Sequence, residues 1–367
     1  MQEIPPFFSR YERQTILPQV GLQGQRALQA GKVLVAGAGG LGCPVLQYLA
    51  AAGVGTIGIA DHDLVSLHNL HRQVLYQMAD IGLPKAAAAA QKLNALNPHN
   101  TYKVFTEKVD NTNIANLIQE YDVVVDGTDN FATRYLINDA CMILGKPLVF
   151  GAVNRFEGQV AVFGLPAASG EIIHYRDIFP HPPMAGEILS CAESGVLGVL
   201  PGIIGSLMAN EVLKLVIGMG QPLISKMLTY NALNNDLMHW ALSKHPESDA
   251  LLPPDIAALQ QKDYDHECGI NKSLLLFAKE EVWELLKQPD ALLIDVREPD
   301  ETPTLNPIPH QRIPLGTLLQ QGLQTVPPVV VLVCQSGKRS LQAAQWIMQQ
   351  YSTAIAYSVA GGIHTLL

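Results

Sequence analysis

One segment, residues 32–43, combines an apolar run, a glycine-rich turn and the start of an apolar helix. Its sequence is KVLVAGAGGLGC, in which Gly37, Gly39 and Gly42 have the G-x-G-x-x-G spacing. Glycine at these positions permits a tight turn, close approach of the backbone to a phosphate, and close packing of the helix on the strand. The next apolar run ends at Asp61, where nucleotide-binding folds of this type hold a ribose hydroxyl. The segment therefore predicts a nucleotide-binding site; the alternative is a packing turn without a ligand.

Strand and helix patterns alternate from residue 32 to residue 163, which predicts an α/β fold with a Rossmann-like, mostly parallel sheet. Helical patterns cover 8–28, 86–96 and 203–217. After residue 151 the segments 159–163 and 172–175 have the pattern of antiparallel strands. The apolar run 195–218 is interrupted by proline, asparagine and charged residues, so we interpret it as helices buried in protein rather than a membrane span.

The length of 367 residues predicts two domains. Residues 1–243 form the first, 244–272 are poor in periodic pattern and are predicted to be a linker, and 273–367 resume the strand–helix alternation as a smaller α/β domain. The formal charge of −9 argues against general affinity for nucleic acid. Five cysteines without a C-x-x-C pair argue against a disulfide framework, and with no signal-peptide pattern they favour a cytoplasmic protein.

Polar residues are dense around the predicted nucleotide site. Arg13, Arg72 and Lys85 are candidate phosphate-binding cations, and Asp129, which follows a predicted strand, is a candidate Mg²⁺ ligand. A hydride-transfer enzyme needs few charges near its nicotinamide, whereas nucleotidyl transfer needs cations around a triphosphate and a carboxylate for the metal. The charge pattern therefore favours nucleotidyl transfer, and a nicotinamide dehydrogenase is the weakest alternative.

Several motifs in order resemble the MoeB/ThiF/HesA family, which is related to ubiquitin-activating enzymes. They are the glycine turn, the segment from Asp61-His62-Asp63 to Arg72-Gln73, and Gly127-Thr128-Asp129-Asn130, and the resemblance covers about 11–240. It implies a homodimeric, ATP- and Mg²⁺-dependent adenylyltransferase that activates the C-terminal glycine of a small ubiquitin-fold sulfur carrier ending in Gly-Gly. Arg13 would reach across the dimer interface to the neighbouring ATP.

The resemblance also implies roles for individual residues. Asp61 would hold the ribose, Asn69, Arg72 and Lys85 the phosphates, and Asp129 the Mg²⁺. For Asp63 and Gln73, substrate contact and structural hydrogen bonding are both open. The full set of implied nucleotide contacts is Gly37, Gly39, Gly40, Gly42, Asp61, Asp63, Asn69, Arg72, Gln73, Lys85, Asp129 and Asn130.

The cysteines of the first domain are considered singly. Cys191 occupies a segment in which the family has a cysteine near the substrate tail, where a thiolate would form a covalent intermediate; the alternative is a small apolar residue at a helix start. Cys43 and Cys141 have apolar neighbours in helices and are predicted to pack in the core. Many relatives bind structural zinc through two C-x-x-C pairs, but here His174 to Asp177 and the segment around Cys268 replace them, so zinc is not expected and a hydrogen bond or salt bridge should take its place.

A second chemical site begins at Cys334, in the segment CQSGKRS between a predicted strand and helix. A loop of this kind forms a nest of backbone N–H groups at a helix N-terminus, and Lys338 and Arg339 add positive charge, so a thiolate or persulfide is favoured. The spacing from Cys334 to Arg339 is one residue shorter than in phosphate-binding C-x5-R loops. With Asp295-Val296-Arg297-Glu298 and Ala360-Gly361-Gly362-Ile363, the segment resembles a rhodanese domain over 273–367; Asp295 and Arg297 are predicted to brace the loop.

Together the two resemblances imply an adenylyltransferase fused to a sulfurtransferase. A Cys334 persulfide, charged by thiosulfate or by a cysteine desulfurase, would convert the acyl adenylate to a thiocarboxylate for molybdopterin or thiamine synthesis or a related sulfuration. Neither a membrane nor direct nucleic-acid binding is expected. Two alternatives stay open: a rhodanese domain that serves only for docking, and a nucleotide-binding regulatory protein without turnover.

Overall fold

A computed structural model describes residues 6–182, 195–268, 274–351 and 353–367. Their contacts divide them into two compact units. Among the described residues, the first unit ends at Tyr264, and the second extends from Asp265 to Leu367.

An eight-stranded sheet forms the centre of the first unit, in the order β3-β2-β1-β4-β5-β6-β7-β8. The strands are β1 Lys32–Ala36, β2 Thr56–Ala60, β3 Thr101–Phe105, β4 Val123–Asp126, β5 Leu148–Asn154, β6 Glu157–Phe163, β7 Lys226–Asn231 and β8 Asp236–Ala241. Strands β1 to β5 pair in parallel, and β5 to β8 pair in antiparallel fashion. Helices cover both faces of such a parallel sheet, which explains the unbroken apolar runs in β1 and β4. The predicted Rossmann-like fold is confirmed.

The described helices up to residue 267 are α1 Glu12–Thr15, α2 Gly21–Ala30, α3 Gly42–Ala52, α4 Lys85–Leu96, α5 Ile114–Gln119, α6 Phe131–Ile143, α7 Tyr175–Ile178, α8 Leu200–Ile217, α9 Ile256–Gln261 and α10 Tyr264–Glu267, with 3₁₀ turns at Pro6–Tyr11, Leu67–Asn69, Met78–Asp80 and Ser248–Leu251. The helices up to α9 belong to the first unit, and α10 begins at its last residue and continues into the second unit. Of the described helices, α8 alone has the length and apolar composition of a membrane span. It packs on β5, β6 and α3, and a Cβ at Gly205 would lie 2.4 Å from Pro44 Cγ, so α8 is a core helix of this unit.

Two sequence-based secondary-structure predictions were wrong. The helical pattern over 8–28 is interrupted, because α1 ends at Thr15 and α2 begins at Gly21. Residues 172–175 form only an isolated antiparallel bridge, between Ile172 and Pro166, and not a strand. The Asp177 carboxylate accepts the backbone N–H of His174 at 2.7 Å, and α7 begins at Tyr175. Side-chain capping of the backbone N–H therefore prevails over the alternating pattern.

The first part of the predicted linker packs on the first unit. Within 244–264, Ser248 donates its hydroxyl to buried Asp177, and Tyr264 donates to the buried carboxylate of Asp139 at 2.9 Å. Asp139 also forms a bidentate ion pair with Arg176, with both distances 2.8 Å, and neither side chain is exposed. Residues 244–264 are therefore held by a buried charged network that no periodic pattern in the sequence indicates.

The second unit has a five-stranded, all-parallel sheet in the order β11-β10-β12-β13-β9. Its strands are β9 Leu275–Leu276, β10 Leu292–Asp295, β11 Gln311–Arg312, β12 Val329–Val333 and β13 Ile355–Val359, and its helices are α11 Lys279–Leu286, α12 Leu315–Gln321, α13 Lys338–Gln350 and α14 Ile363–Leu366. Apolar side chains pack on both faces of β12, which places Cys334, directly after it, at the carboxyl end of a central strand.

Candidate nucleotide site and cysteine loop

The glycine turn joins the carboxyl ends of three strands. Gly37 follows β1 with φ +91°, and its N–H donates to the carbonyl of Ala60 at the end of β2 at 2.8 Å. A Cβ at Gly37 would lie 2.8 Å from the carbonyl oxygen of Gly127, which follows β4, and a Cβ at Gly42 would lie 1.9 Å from that of Gly37. Only glycine fits either position, because the backbone segments are nearly in contact.

Asp61 connects this turn to the end of β2. Its Oδ2 accepts the N–H of Ala38 at 2.7 Å, and its Oδ1 accepts the N–H of Asp63 at 2.8 Å. Burial raises the pKa of the Asp61 carboxyl above its ordinary value. Each carboxylate oxygen has a second lone-pair site, so the group is both held by the turn and able to accept a hydroxyl hydrogen bond.

Lys85 begins α4 beside this acid. Its ammonium Nζ lies 2.8 Å from Asp63 Oδ2, and the Lys85 side chain is 6% exposed while that of Asp63 is 58% exposed. Asp63 thus makes the structural contact that the sequence left open, and it neutralises a cation that is otherwise nearly enclosed. Contact of either residue with a nucleotide stays a prediction.

Asn69, Arg72 and Gln73 lie on one tight turn over the glycines. The backbone N–H groups of Arg72 and Gln73 both donate to the Asn69 carbonyl. A Cβ at Gly39 would lie 3.5 Å from Gln73 Nε2, and one at Gly40 would lie 3.7 Å from Arg72 Cδ. Gln73 is 3% exposed, and its Oε1 has no hydrogen-bond partner among the described residues. A buried acceptor beside a phosphate-type turn fits a site that a polar ligand completes.

The loop after β4 contains residues that sequence reasoning left without a role. Buried Asp126 accepts both the N–H and the hydroxyl of Thr128, at 2.9 and 2.6 Å, and Arg134 donates to the Thr128 carbonyl at 2.9 Å. Asn130 accepts the N–H of Thr133 at 2.9 Å, so its side chain caps α6. Asp129 is exposed between them, and its role as a Mg²⁺ ligand stays a prediction. Two features of the sequence could have indicated this pair: Asp126 is the last residue of a strand, and Arg134 lies in the first turn of the next helix.

Four further residues considered in the sequence analysis have different outcomes. Arg13 is exposed on α1, and Cys191 lies outside the described residues. Cys43 and Cys141 are fully buried in α3 and α6, as predicted. Burial raises the pKa of the Cys43 thiol to about 12 and also raises that of Cys141, so neither is a nucleophile.

The hydrogen bonds and ion pairs predicted for residues 174–177 are present. His174 Nε2 lies 3.1 Å from Asp249 Oδ1, and Lys244 Nζ contacts the carboxylates of both Asp177 and Asp249. Burial lowers the pKa of His174, so the ring is neutral near pH 7. Over the described parts of the chain, no group of three or more histidine, cysteine or acidic side chains has the spacing of a metal site. Cys268, in the second unit, is buried.

Cys334 lies in a closed loop between β12 and α13. The N–H of Gly337 donates to Sγ at 3.1 Å, and Ser340 Oγ lies 3.4 Å from Sγ. Gly337 has φ +89° and precedes a helix of 13 residues, whose N-terminal dipole favours a negative sulfur. The Gly361-Gly362 pair packs on this loop, since a Cβ at Gly362 would lie 2.4 Å from the Cys334 carbonyl oxygen. One backbone N–H and one hydroxyl therefore face a sulfur atom that is not exposed.

Asp295 and Arg297 brace this loop. Their side chains form a buried bidentate ion pair, with distances of 2.9 and 2.8 Å. Arg297 Nη1 also donates to the side chain of Gln335, the residue after Cys334, and to the carbonyl of Pro303. The geometry is that of a scaffold beneath the loop, as the sequence predicted.

The first unit is thus an α/β protein whose glycine turn, acid and lysine meet at the carboxyl ends of β1, β2 and β4, the place where Rossmann-like folds bind nucleotides. The family model described as ThiF family matches residues 11–250, and the chain belongs to this family.

Curated relatives extend the match beyond that family segment. The chain is 48% identical over 262 residues to a Thermus thermophilus protein named sulfur carrier protein adenylyltransferase, covering 71% of this chain and 96% of the relative. It is 40% identical over 346 residues to a Mycobacterium tuberculosis protein named probable adenylyltransferase/sulfurtransferase MoeZ, covering 91% and 86%. It is 36% identical over 393 residues to Xenopus laevis adenylyltransferase and sulfurtransferase MOCS3, covering 98% and 86%.

Solved structures support the fold alone. Escherichia coli MccB, crystallised with MccA-N7isoASN, superposes with a TM-score of 0.58 at 21% identity and covers 66% of this chain and 75% of that chain. PaaA superposes with a TM-score of 0.55 at 22% identity, covering 66% and 76%. At this identity the likeness establishes the shared Rossmann-like architecture.

Proposed function

We propose that this protein adenylates the C-terminal glycine of a ubiquitin-fold sulfur carrier and then transfers sulfur from a Cys334 persulfide to give a thiocarboxylate. The observation that carries the proposal is the presence in one chain of two strand–turn–helix loops with different chemistry. One is the glycine turn with Asp61, and the other is the Cys334 loop, in which the Gly337 N–H donates to Sγ.

The extents of the relatives support the assignment of one activity to each unit. The relative named only for adenylation matches 71% of this chain, whereas those named for both adenylation and sulfur transfer match 91% and 98%. A match over 98% of the chain necessarily includes the Cys334 unit, and the family segment that ends at residue 250 does not. We therefore assign adenylation to the first unit and sulfur transfer to the second.

In the adenylation step the carrier carboxylate attacks the α-phosphorus of ATP, and pyrophosphate leaves. The first unit supplies position and charge rather than covalent chemistry. Asp61 accepts the ribose hydroxyls, Asn69, Arg72 and Lys85 contact the phosphates, and Gln73 completes the polar lining. Asp129 contributes the carboxylate for Mg²⁺, a hard cation that usually binds one or two carboxylates together with substrate phosphates.

In the sulfur-transfer step the terminal sulfur of the Cys334 persulfide attacks the acyl carbon, and AMP leaves with the electron pair of the broken bond. The product is an acyl disulfide on Cys334. A second thiol, for which Cys191 is our candidate, attacks Cys334 Sγ; a disulfide forms between the two cysteines, and the carrier thiocarboxylate leaves. An external thiol then reduces this disulfide. The sulfur source is thiosulfate or the persulfide of a cysteine desulfurase.

Intact-mass spectrometry of candidate carriers ending in Gly-Gly tests the proposal. Each carrier is incubated with ATP, Mg²⁺, a reducing thiol, a sulfur donor and either wild-type protein or Cys334→Ala. We expect a thiocarboxylate with wild type and only adenylate or unmodified carrier with the variant. Cys141→Ala, which removes a buried thiol of α6 in the first unit, is the matched control and should leave the thiocarboxylate yield unchanged.

A second candidate function has support from one observation, the complete burial of Cys334. In that case the second unit only docks partners, and Cys334→Ala yields as much thiocarboxylate as wild type. Absence of any ATP-dependent mass change on every carrier would instead favour a nucleotide-binding protein without turnover.

We also propose that the protein is a homodimer in which Arg13 acts on the neighbouring ATP. Arg13→Ala and Asp129→Ala should each be inactive alone, whereas mixed and re-equilibrated subunits form heterodimers with one intact composite site. Random pairing predicts recovery of about a quarter of wild-type adenylation. If Arg13 acts within its own subunit, mixing restores nothing.

A further inference from the structure

One of the two cations beside Cys334 is occupied by an acid from another part of the second unit. Arg339, in the first turn of α13, donates from Nη1 and Nη2 to the two carboxylate oxygens of Glu301 at 2.6 and 2.7 Å. Both side chains are about one quarter exposed, 25% for Arg339 and 27% for Glu301. This is a bidentate pair, the geometry in which a guanidinium binds a planar anion most strongly.

Glu301 is held in place for this contact. Its carboxylate also accepts the N–H of Glu298 at 2.9 Å, and its carbonyl accepts from Arg312 at 3.2 Å. Hydrogen bonding from Arg339 lowers the pKa of Glu301, so the carboxylate is charged at neutral pH. The Arg339 fork is therefore engaged before any sulfur donor arrives.

We propose that Glu301 determines sulfur-donor specificity by occupying Arg339, so that the Cys334 loop discriminates against small dianionic donors such as thiosulfate. This inference rests on the proposed function, since it concerns the loading of Cys334. A dianion approaching the loop would interact with Lys338 and the N-terminus of α13, but it must compete with a tethered carboxylate for the Arg339 fork. A donor whose binding does not depend on that fork is unaffected.

The reaction to be measured is thiosulfate:cyanide sulfur transfer. The Cys334 thiolate attacks the outer sulfur of thiosulfate, the sulfur–sulfur bond breaks, and sulfite leaves with the bonding pair. Cyanide then takes the terminal sulfur of the persulfide as thiocyanate and returns the Cys334 thiolate. No other oxidant or reductant is needed.

The test compares Glu301→Gln with Glu298→Gln in the full-length protein. Both variants remove one negative charge from the same segment, but the Glu298 side chain is exposed, whereas the Glu301 carboxylate binds Arg339. In Glu301→Gln, thiosulfate no longer competes with a carboxylate for Arg339. Because the Arg339–Glu301 ion pair is partly exposed, we expect KM for thiosulfate to fall about fivefold with little change in kcat. Glu298→Gln should keep the wild-type KM. An Arg339→Met background should abolish the effect of Glu301→Gln.

Charge-selective alkylation of Cys334 distinguishes this effect from a loosened loop. The rate of alkylation is followed on the Cys334 peptide with anionic iodoacetate and neutral iodoacetamide. Release of Arg339 raises the iodoacetate rate relative to the iodoacetamide rate, whereas a looser loop raises both equally. An unchanged ratio together with an unchanged thiosulfate KM overturns the inference. The proposed function is judged separately, because it fails only if Cys334→Ala leaves thiocarboxylate formation intact or no carrier is modified.

Discussion

Replacement of Arg134 by methionine tests whether the loop after β4 is prearranged for its chemistry. The Arg134 guanidinium carbon lies 4.9 Å from the centre of the Phe150 ring, and its Nε lies 3.4 Å from Asp126 Oδ2. Its Nη2 donates to the Thr128 carbonyl, one residue before the proposed metal ligand Asp129. Arg134 is 11% exposed and Asp126 is not exposed, so the substitution leaves a buried carboxylate without its cation.

The magnitude follows from that burial. Breaking one side of a buried pair costs about 3–5 kcal/mol, whereas replacing both partners with neutral groups costs much less. Arg134→Met should therefore destabilise the first unit by about 3 kcal/mol, and Asp126→Asn in the same chain should recover at least about 1 kcal/mol of it. Methionine keeps much of the packing on the aromatic rings, so the recovery reports the charge.

The assay combines stability and activity. Hydrogen exchange of β4 and α6 peptides gives the opening free energy of this unit inside the full chain, and ATP–pyrophosphate exchange with carrier gives the adenylation rate. Because the Asp129 loop loses the hydrogen bond from Arg134 to the Thr128 carbonyl, Arg134→Met should lower kcat more than it raises KM for ATP. Arg26→Met, on the exposed face of α2, is the matched control and should change neither quantity.

Two results would refute this reasoning. If Arg134→Met lowers the opening free energy of the first unit by less than about 1 kcal/mol, the Arg134–Asp126 pair does not stabilise the unit as a buried ion pair should. If exchange protection is lost but kcat is unchanged, Arg134 supports the core without positioning the loop.

Three further predictions concern the first unit. Gly42→Ala should destabilise it by about 3 kcal/mol and abolish ATP binding by calorimetry, because its Cβ would meet the Gly37 carbonyl oxygen at 1.9 Å; wild-type ATP affinity would contradict this. The raised pKa of Asp61 should place the acid limb of the adenylation pH profile above the ordinary aspartate range. Because the folded protein binds this proton more tightly than the unfolded chain, Asp61 should contribute stability at low pH that is lost as pH rises through its raised folded pKa. Arg176→Met should cost about 3 kcal/mol and raise hydrogen exchange in 256–264, because buried Asp139 would keep only the more distant Lys262, at 3.7 Å, as a cationic partner; unchanged exchange there would show that 244–264 is held by other contacts.

The local sequence pattern was sufficient to predict a structural feature where one short segment determines its own geometry. The glycine turn, the following Asp61 and the Cys334 loop could all be recognised, because each lies between an apolar strand and a helix whose ends the sequence marks. The same reasoning failed at 172–175, where a carboxylate three residues ahead in the chain caps the backbone. Pairing between distant residues was invisible, as the buried contact of Tyr264 with Asp139 shows.

The sequence by itself determined the fold class, the order of the strands and helices, and the two turns where chemistry is expected, because hydrophobic period and glycine spacing are local properties. The tertiary structure decided what each charge faces. It pairs Lys85 with Asp63, Arg134 with Asp126 and Arg339 with Glu301. The number of residues between the two members differs from pair to pair, so no fixed spacing in the sequence reveals them. The free energy of each charge depends on its partner and its burial, and only folding supplies both.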